Sequence, residues 1–95
     1  MNTTSSFRFE CGEVVATPGA DALLREHNVA PVKLLARHLS GDWGDVPPED
    51  AQANEAALVS GARLLSSYRV GGETLWLITD AEPRAVTTIL RPDEY

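Results

Sequence analysis

Ala62-Arg63-Leu64-Leu65-Ser66-Ser67-Tyr68-Arg69-Val70-Gly71-Gly72-Glu73-Thr74-Leu75-Trp76-Leu77-Ile78-Thr79-Asp80 decides the fold. Two runs rich in β-branched, aromatic and alternating residues flank a Gly-Gly pair, the signature of a hairpin whose two-residue turn needs positive φ. With Gly71-Gly72 as the turn, the register follows. Tyr68 faces Leu75, Ser66 faces Leu77 and Leu64 faces Thr79 on one side, which is the better core face. On the other side Ser67 faces Trp76, Leu65 faces Ile78, and Arg63 faces Asp80 as a cross-strand ion pair. That second side carries Trp76, Leu65, Ile78, Arg63 and Arg69, unusual dress for open solvent.

Downstream, Asp80 to Arg84 turns the chain and Ala85 to Arg91 forms a last strand, stopped by Pro92. Upstream the period is helical. Thr17 caps and Pro18 opens a first helix that closes at His27-Asn28, with Asn28 suited to the left-handed conformation. Pro31 opens a second, with Val32, Leu35, Ala36 and Leu39 spaced along one face. Pro47-Pro48-Glu49-Asp50 starts a third, whose stripe of Ala51, Asn54 and Leu58 runs to Gly61. Before the helices, Phe7 to Cys11 alternates apolar and charged residues and is expected to be a strand, which Gly12 interrupts and Val14-Val15 can continue past a bulge. The expectation is an α+β domain: an N-terminal strand, three short helices, then a three-stranded antiparallel meander that the first strand joins.

Composition bounds the rest. The chain has 95 residues, 43% apolar and 23% charged, which suits a single soluble domain spanning 1–95. No apolar run is long enough for a membrane span. Met1 to Ser6 has neither basic residues nor an apolar core, so it reads as a frayed end and no signal peptide. The single cysteine, Cys11, excludes an internal disulfide and fits a reducing cytoplasm. A net charge of −6 opposes direct binding to DNA, because counterion release needs a basic surface.

The helix end Arg37-His38-Leu39-Ser40-Gly41-Asp42-Trp43-Gly44-Asp45 gathers polar groups, glycines and an indole. His38 reads first as a helix C-terminal residue bonded to a nearby carbonyl, its cation favoured by the dipole. The sharper reading makes it a general base. Trp43 is expected to fill a gap between helices, and Asn54 to tie the Asp42–Gly44 turn through hydrogen bonds. His38, Asp42, Asp45 and Asp50 offer metal ligands, but their order matches neither a calcium loop nor a zinc pattern, so no metal and no cofactor is expected. The hydroxyls and arginines of the strands (Ser66, Ser67, Thr79, Thr87, Thr88, Tyr68, Arg63, Arg69, Arg84) are the kind of set that stabilises a phosphate transition state.

Thr17-Pro18-Gly19-Ala20, Arg37 through Gly44, Arg63 through Tyr68, Leu75 through Thr79, Thr87 through Leu90 and Pro92-Asp93-Glu94-Tyr95 together resemble a family. These are small bacterial plasmid-related proteins, found near mobile elements and sometimes labelled restriction–modification subunits. The resemblance covers nearly the whole chain, and Arg-His-x-x-Gly-Asp-Trp-Gly is its most specific block. It implies a length and a genomic setting but no mechanism. The Asp80–Arg84 segment departs from the family pattern by a proline and one extra residue. The architecture is also similar to that of barnase/RelE-type ribonucleases, which is analogy at the level of fold.

Two functions follow as expectations. The first is a non-enzymatic, cytoplasmic accessory protein of a mobile element that binds a defence- or toxin-related protein partner, or its own copy, through Trp76, Leu65, Ile78, Arg63 and Arg69. The second is a metal-independent ribonuclease with His38 as base.

Overall fold

The computed structural model describes residues 7–95, so the expected frayed end at Met1 to Ser6 lies outside the described residues. The elements run β1 (Glu13–Ala16), α1 (Pro18–Glu26), α2 (Pro31–Leu39), α3 (Pro48–Ser60), β2 (Leu64–Val70), β3 (Glu73–Thr79) and β4 (Val86–Leu90), then a 3₁₀ turn at Pro92–Glu94. The fold is α+β with one four-stranded mixed sheet in the order β1-β4-β3-β2. No helix among the described residues is long and apolar enough to cross a membrane.

The hairpin forms in the expected register, from Leu64 opposite Thr79 to Val70 opposite Glu73. Gly71 and Gly72 both take positive φ, +58° and +83°, which matches the turn to the twist of the strands. The expected Arg63–Asp80 ion pair does not form. Arg63 lies just before β2 and donates instead to the Tyr95 hydroxyl at 2.5 Å.

Only the Val14-Val15 continuation of the expected N-terminal strand is in the sheet. Phe7 to Cys11 does not form a strand, and β1 begins at Glu13, whose amide donates to the Ala85 carbonyl. Two interactions take the earlier residues out of the ladder. Phe9 turns into an aromatic cluster with His38 and Trp43, and the Cys11 carbonyl accepts from Thr87 Oγ1 at 2.7 Å. β1 then runs parallel to β4, Val14 opposite Thr87, so the sheet is not antiparallel throughout.

The helix caps are as the sequence reads. Thr17 Oγ1 accepts from the Ala20 amide at 3.2 Å, Asn28 takes φ +57°, and Gly61 ends α3 in the left-handed region. The buried face of α2, however, is rotated from the expected stripe. Leu34, His38 and Leu39 are buried, while Val32 is 65% exposed. A histidine replaces one apolar position of the true face, so a purely apolar pattern points slightly to one side.

α1 and α2 cover one face of the sheet. Ala20, Leu23, Leu24 and Leu34 meet Tyr68, Leu75, Leu77 and Ile89 in the main core. A second cluster joins Trp43, Ala57 and Leu64, with Phe9, Val46, Ala51 and Leu58 packed against it. The opposite face carries Leu65, Ser67, Trp76, Ile78, Thr88 and Leu90, none of which belongs to either cluster. The C-terminal turn reaches this face. Glu94 holds the turn to the start of α1 by accepting from Thr17 Oγ1 and from the Gly19 amide, and Tyr95 then lies against Trp76 with ring centroids 5.8 Å apart.

Candidate functional site

His38 occupies the last turn of α2, and none of its surface reaches solvent. Its Nδ1 lies 2.5 Å from Ser66 Oγ on β2, and its Nε2 lies 2.9 Å from Thr79 Oγ1 on β3. Thr79 Oγ1 is in turn 2.6 Å from Thr87 Oγ1 on β4. The chain ends where Thr87 donates to the Cys11 carbonyl.

That last acceptor fixes every proton. A carbonyl has only lone pairs, so the Thr87 proton is committed to it, and Thr87 must accept from Thr79. Thr79 must then accept from His38 Nε2–H, which leaves Nδ1 as an acceptor for the Ser66 hydroxyl. The histidine is therefore the neutral Nε2–H tautomer. A second proton on the ring would place a charge in the interior, away from water and near Arg84. Burial first, and the Arg84 charge second, lower its pKa from the ordinary 6.5 to about 4. The dipole-favoured cation expected from the sequence is thus overridden by desolvation. Phe9 and Trp43 close over the ring edge-on, at centroid distances of 5.0 and 6.0 Å.

Arg84 is the second buried polar group in this region, 5% exposed in a loop where it takes φ +55°. It is a hub for main-chain carbonyls, donating to Ala57, Ala62 and Asp80 at 2.9–3.1 Å, with Glu82 Oε2 3.3 Å away. These bonds tie the end of α3 to the loop between β3 and β4. All three guanidinium nitrogens face protein acceptors, so Arg84 offers no open fork for a phosphate.

The Arg37–Asp45 segment runs along the outer edge of β2. The Trp43 carbonyl accepts from the Ser67 amide at 3.0 Å, and the Asp45 amide donates to the Ser67 carbonyl at 2.7 Å. Gly44, at φ +74°, lies between them so close to the strand that a Cβ there would stand 2.0 Å from the Ser67 oxygen. Asp42 shapes the approach. Its carboxylate accepts from Arg37 Nε at 2.7 Å and from the Gly44 amide, and the Arg37 bond holds it below the usual carboxylate range. Its carbonyl accepts from the Tyr68 hydroxyl at 2.6 Å, and Arg37 stacks 4.4 Å over the Tyr68 ring. Burial pushes the Tyr68 phenol up to about 12, against the lowering effect of the Ser66 hydroxyl.

Trp43 is buried in the second cluster, and its indole donates to Glu55 Oε2 at 3.1 Å. Glu55 also receives both terminal nitrogens of Arg8, which together with the indole lower its pKa. Asn54 does not tie the Asp42–Gly44 turn as expected. It reaches Leu65 instead, donating to its carbonyl at 2.8 Å and accepting from its amide at 3.1 Å. Asn54 and the Trp43–Asp45 turn thus satisfy successive outward-facing peptide groups of the same edge strand, at Leu65 and at Ser67.

The surface residues expected to bind lie together on the sheet face opposite α1 and α2, part of which the C-terminal turn covers. Leu65 and Trp76 are half-buried, Ile78 is buried among its neighbours, and Arg63 and Arg69 are exposed. Tyr95, 69% exposed, is a member that sequence reasoning missed. It lies edge-on to Trp76, with the Arg63 guanidinium 5.7 Å from its ring centre. Nothing local in Pro92-Asp93-Glu94-Tyr95 signals this, because the contact depends on Glu94 being held at α1. Between α3 and this face a cavity of about 200 Å³ is lined by Asp50, Ala53, Asn54, Arg63 and Leu65. No cluster of histidine, cysteine and carboxylate side chains with metal-ligating geometry occurs among the described residues. Compared with family models, with curated proteins and with solved structures, the chain matches none of them.

Two outcomes test these assignments. Between pH 6.5 and about 4 the unfolded chain protonates its histidine while folded His38 stays neutral. The unfolded state then binds more protons, so stability falls as pH falls through this window, by about 3 kcal/mol in all. Urea unfolding across pH should show that decline in the parent chain and not in His38→Gln, while losses from the carboxylates at lower pH persist in both. Separately, Asn54→Ala strands the Leu65 amide and carbonyl, and should cost about 2 kcal/mol. Hydrogen exchange should show the Leu65 amide losing protection.

Proposed function

We propose that this chain is a non-enzymatic accessory protein of a mobile genetic element, acting in the cytoplasm by binding another protein through the face of its sheet opposite α1 and α2. The observation that carries the binding mode is the placement of Trp76, Leu65 and Tyr95 on a face that neither hydrophobic cluster reaches. Aromatic rings rimmed by arginine are the side chains in which contact energy concentrates. The mobile-element setting rests on the resemblance carried by Arg37 through Gly44. A net charge of −6 favours a protein partner over nucleic acid.

The enzymatic alternative loses its base in this geometry. General-base catalysis needs a nitrogen within reach of substrate. Both His38 ring nitrogens are occupied by hydroxyls in the interior. Purified protein is expected to leave RNA intact, as is His38→Ala. Cleavage by the parent chain that vanishes in the variant would restore the ribonuclease reading.

The binding mode has its own test. Trp76→Ala is expected to keep the far-ultraviolet circular dichroism spectrum and a cooperative melt. It should lose the stoichiometric partner, or the self-association, that the parent chain shows. Equal retention by both chains would sink the proposal.

A further inference from the structure

The partner for this face can be taken one step further, on the reading that the face is a contact surface. We infer that its occupant is a second copy of the same chain, packed face to face about a two-fold axis parallel to the strands, with Arg63 of each copy against Glu13 of the other.

The strand order and register specify which residues share each row across the sheet. In-register neighbours point to the same side of a sheet. Leu65, Ile78, Thr88 and Val15 form one row, and Ser67, Trp76 and Leu90 the next. At one end Glu13 stands beside Val86 on β1, and Arg63 precedes β2 on the opposite flank. A two-fold axis along the strands, between β3 and β4, lays β2 of one copy over β1 of the other, and β3 over β4. Each row then meets itself reversed. Leu65 covers Val15, which is 39% exposed in the single chain, and Trp76 covers Leu90. Arg63 comes over Glu13. The modest angle between packed sheets shifts these pairings by part of a residue without changing which ends meet.

The alternative axis, perpendicular to the strands, lays β2 over β2 and brings Arg63 against Arg69 of the other copy. Like charges at an interface oppose it. Charge therefore selects the first arrangement. Neither Arg63 nor Glu13 has an ion-pair partner among the described residues, and Arg63 would exchange its bond to the Tyr95 hydroxyl for the Glu13 carboxylate of the other copy. Area is consistent with a weak dimer. Strands of four to seven residues, about 4.8 Å apart and rising about 3.3 Å per residue, project roughly 350 Å² per copy. With side-chain relief, two copies remove on the order of 1,000 Å², near the lower bound for a specific interface.

A charge-exchange experiment on the full chain tests this, by sedimentation from about 1 to about 200 µM, the range in which so small an interface associates. The parent chain is expected to dimerise, and R63E and E13R each to weaken association at least about ten-fold. An equimolar mixture of the two variants should recover it, because each mixed dimer again places opposite charges at both contacts. Circular dichroism melts confirm that the variants fold. A parent chain that stays monomeric, or a mixture no tighter than its components, overturns the inference. Trp76→Ala separates this failure from failure of the underlying reading. A dimer abolished by W76A but indifferent to charge exchange keeps the face and discards the arrangement. A dimer that survives W76A uses another surface, such as the β1 edge, and removes both.

Discussion

A buried imidazole needs a partner for each nitrogen, and in this protein that requirement organises the interior. His38 stands where α2 crosses the sheet, and it is answered by Ser66, Thr79 and Thr87, one hydroxyl from each of three adjacent strands. Those positions lie on the face that α1 and α2 cover, where apolar residues would be expected. A polar seam of this kind is favourable only when every member is satisfied. Its end at the Cys11 carbonyl satisfies the last donor and fixes the N-terminal segment against β4. The ring stays neutral because a cation there would be desolvated and would meet the Arg84 charge.

The same logic of satisfying main-chain groups governs the sheet edges, with unequal results. β2 is closed off by two devices drawn from different parts of the chain, the Asn54 amide and the Trp43–Asp45 turn. Together with the Arg84 bonds to carbonyls of α3 and neighbouring loops, they anchor α3 beside the sheet although its own apolar stripe is narrow. β1 has no such cover. It is four residues long, with Val14 and Val15 exposed, and its outer side pairs with no strand among the described residues. Short length is itself a guard against unwanted pairing.

Both polar arrangements turn residues of chemical promise into structural ones. The histidine, the buried arginine and most strand hydroxyls spend their hydrogen bonds inside the protein. What remains outward is the Trp76 face with its flanking arginines and the C-terminal tyrosine. Arg63 and Arg69, neither of them in an ion pair among the described residues, flank that same face.

The sequence by itself determined the α+β class, the hairpin with its register, and the helix caps at Thr17, Asn28 and Gly61. These are short-range matters: a two-residue period, a turn that needs positive φ, a hydroxyl beside three unpaired amides. It also grouped Trp76, Leu65, Ile78, Arg63 and Arg69, because alternation alone places them on one side. Only the tertiary structure decided the partners of His38, Asn54 and Arg84, which lie 28 and 41, 11, and 22 and 27 residues away for their principal bonds. It also limited the first strand to Glu13–Ala16 and made it parallel to β4. A donor or acceptor does not encode in its own neighbourhood which distant group will meet it. That choice is made when the layers pack and each buried polar atom must be paired.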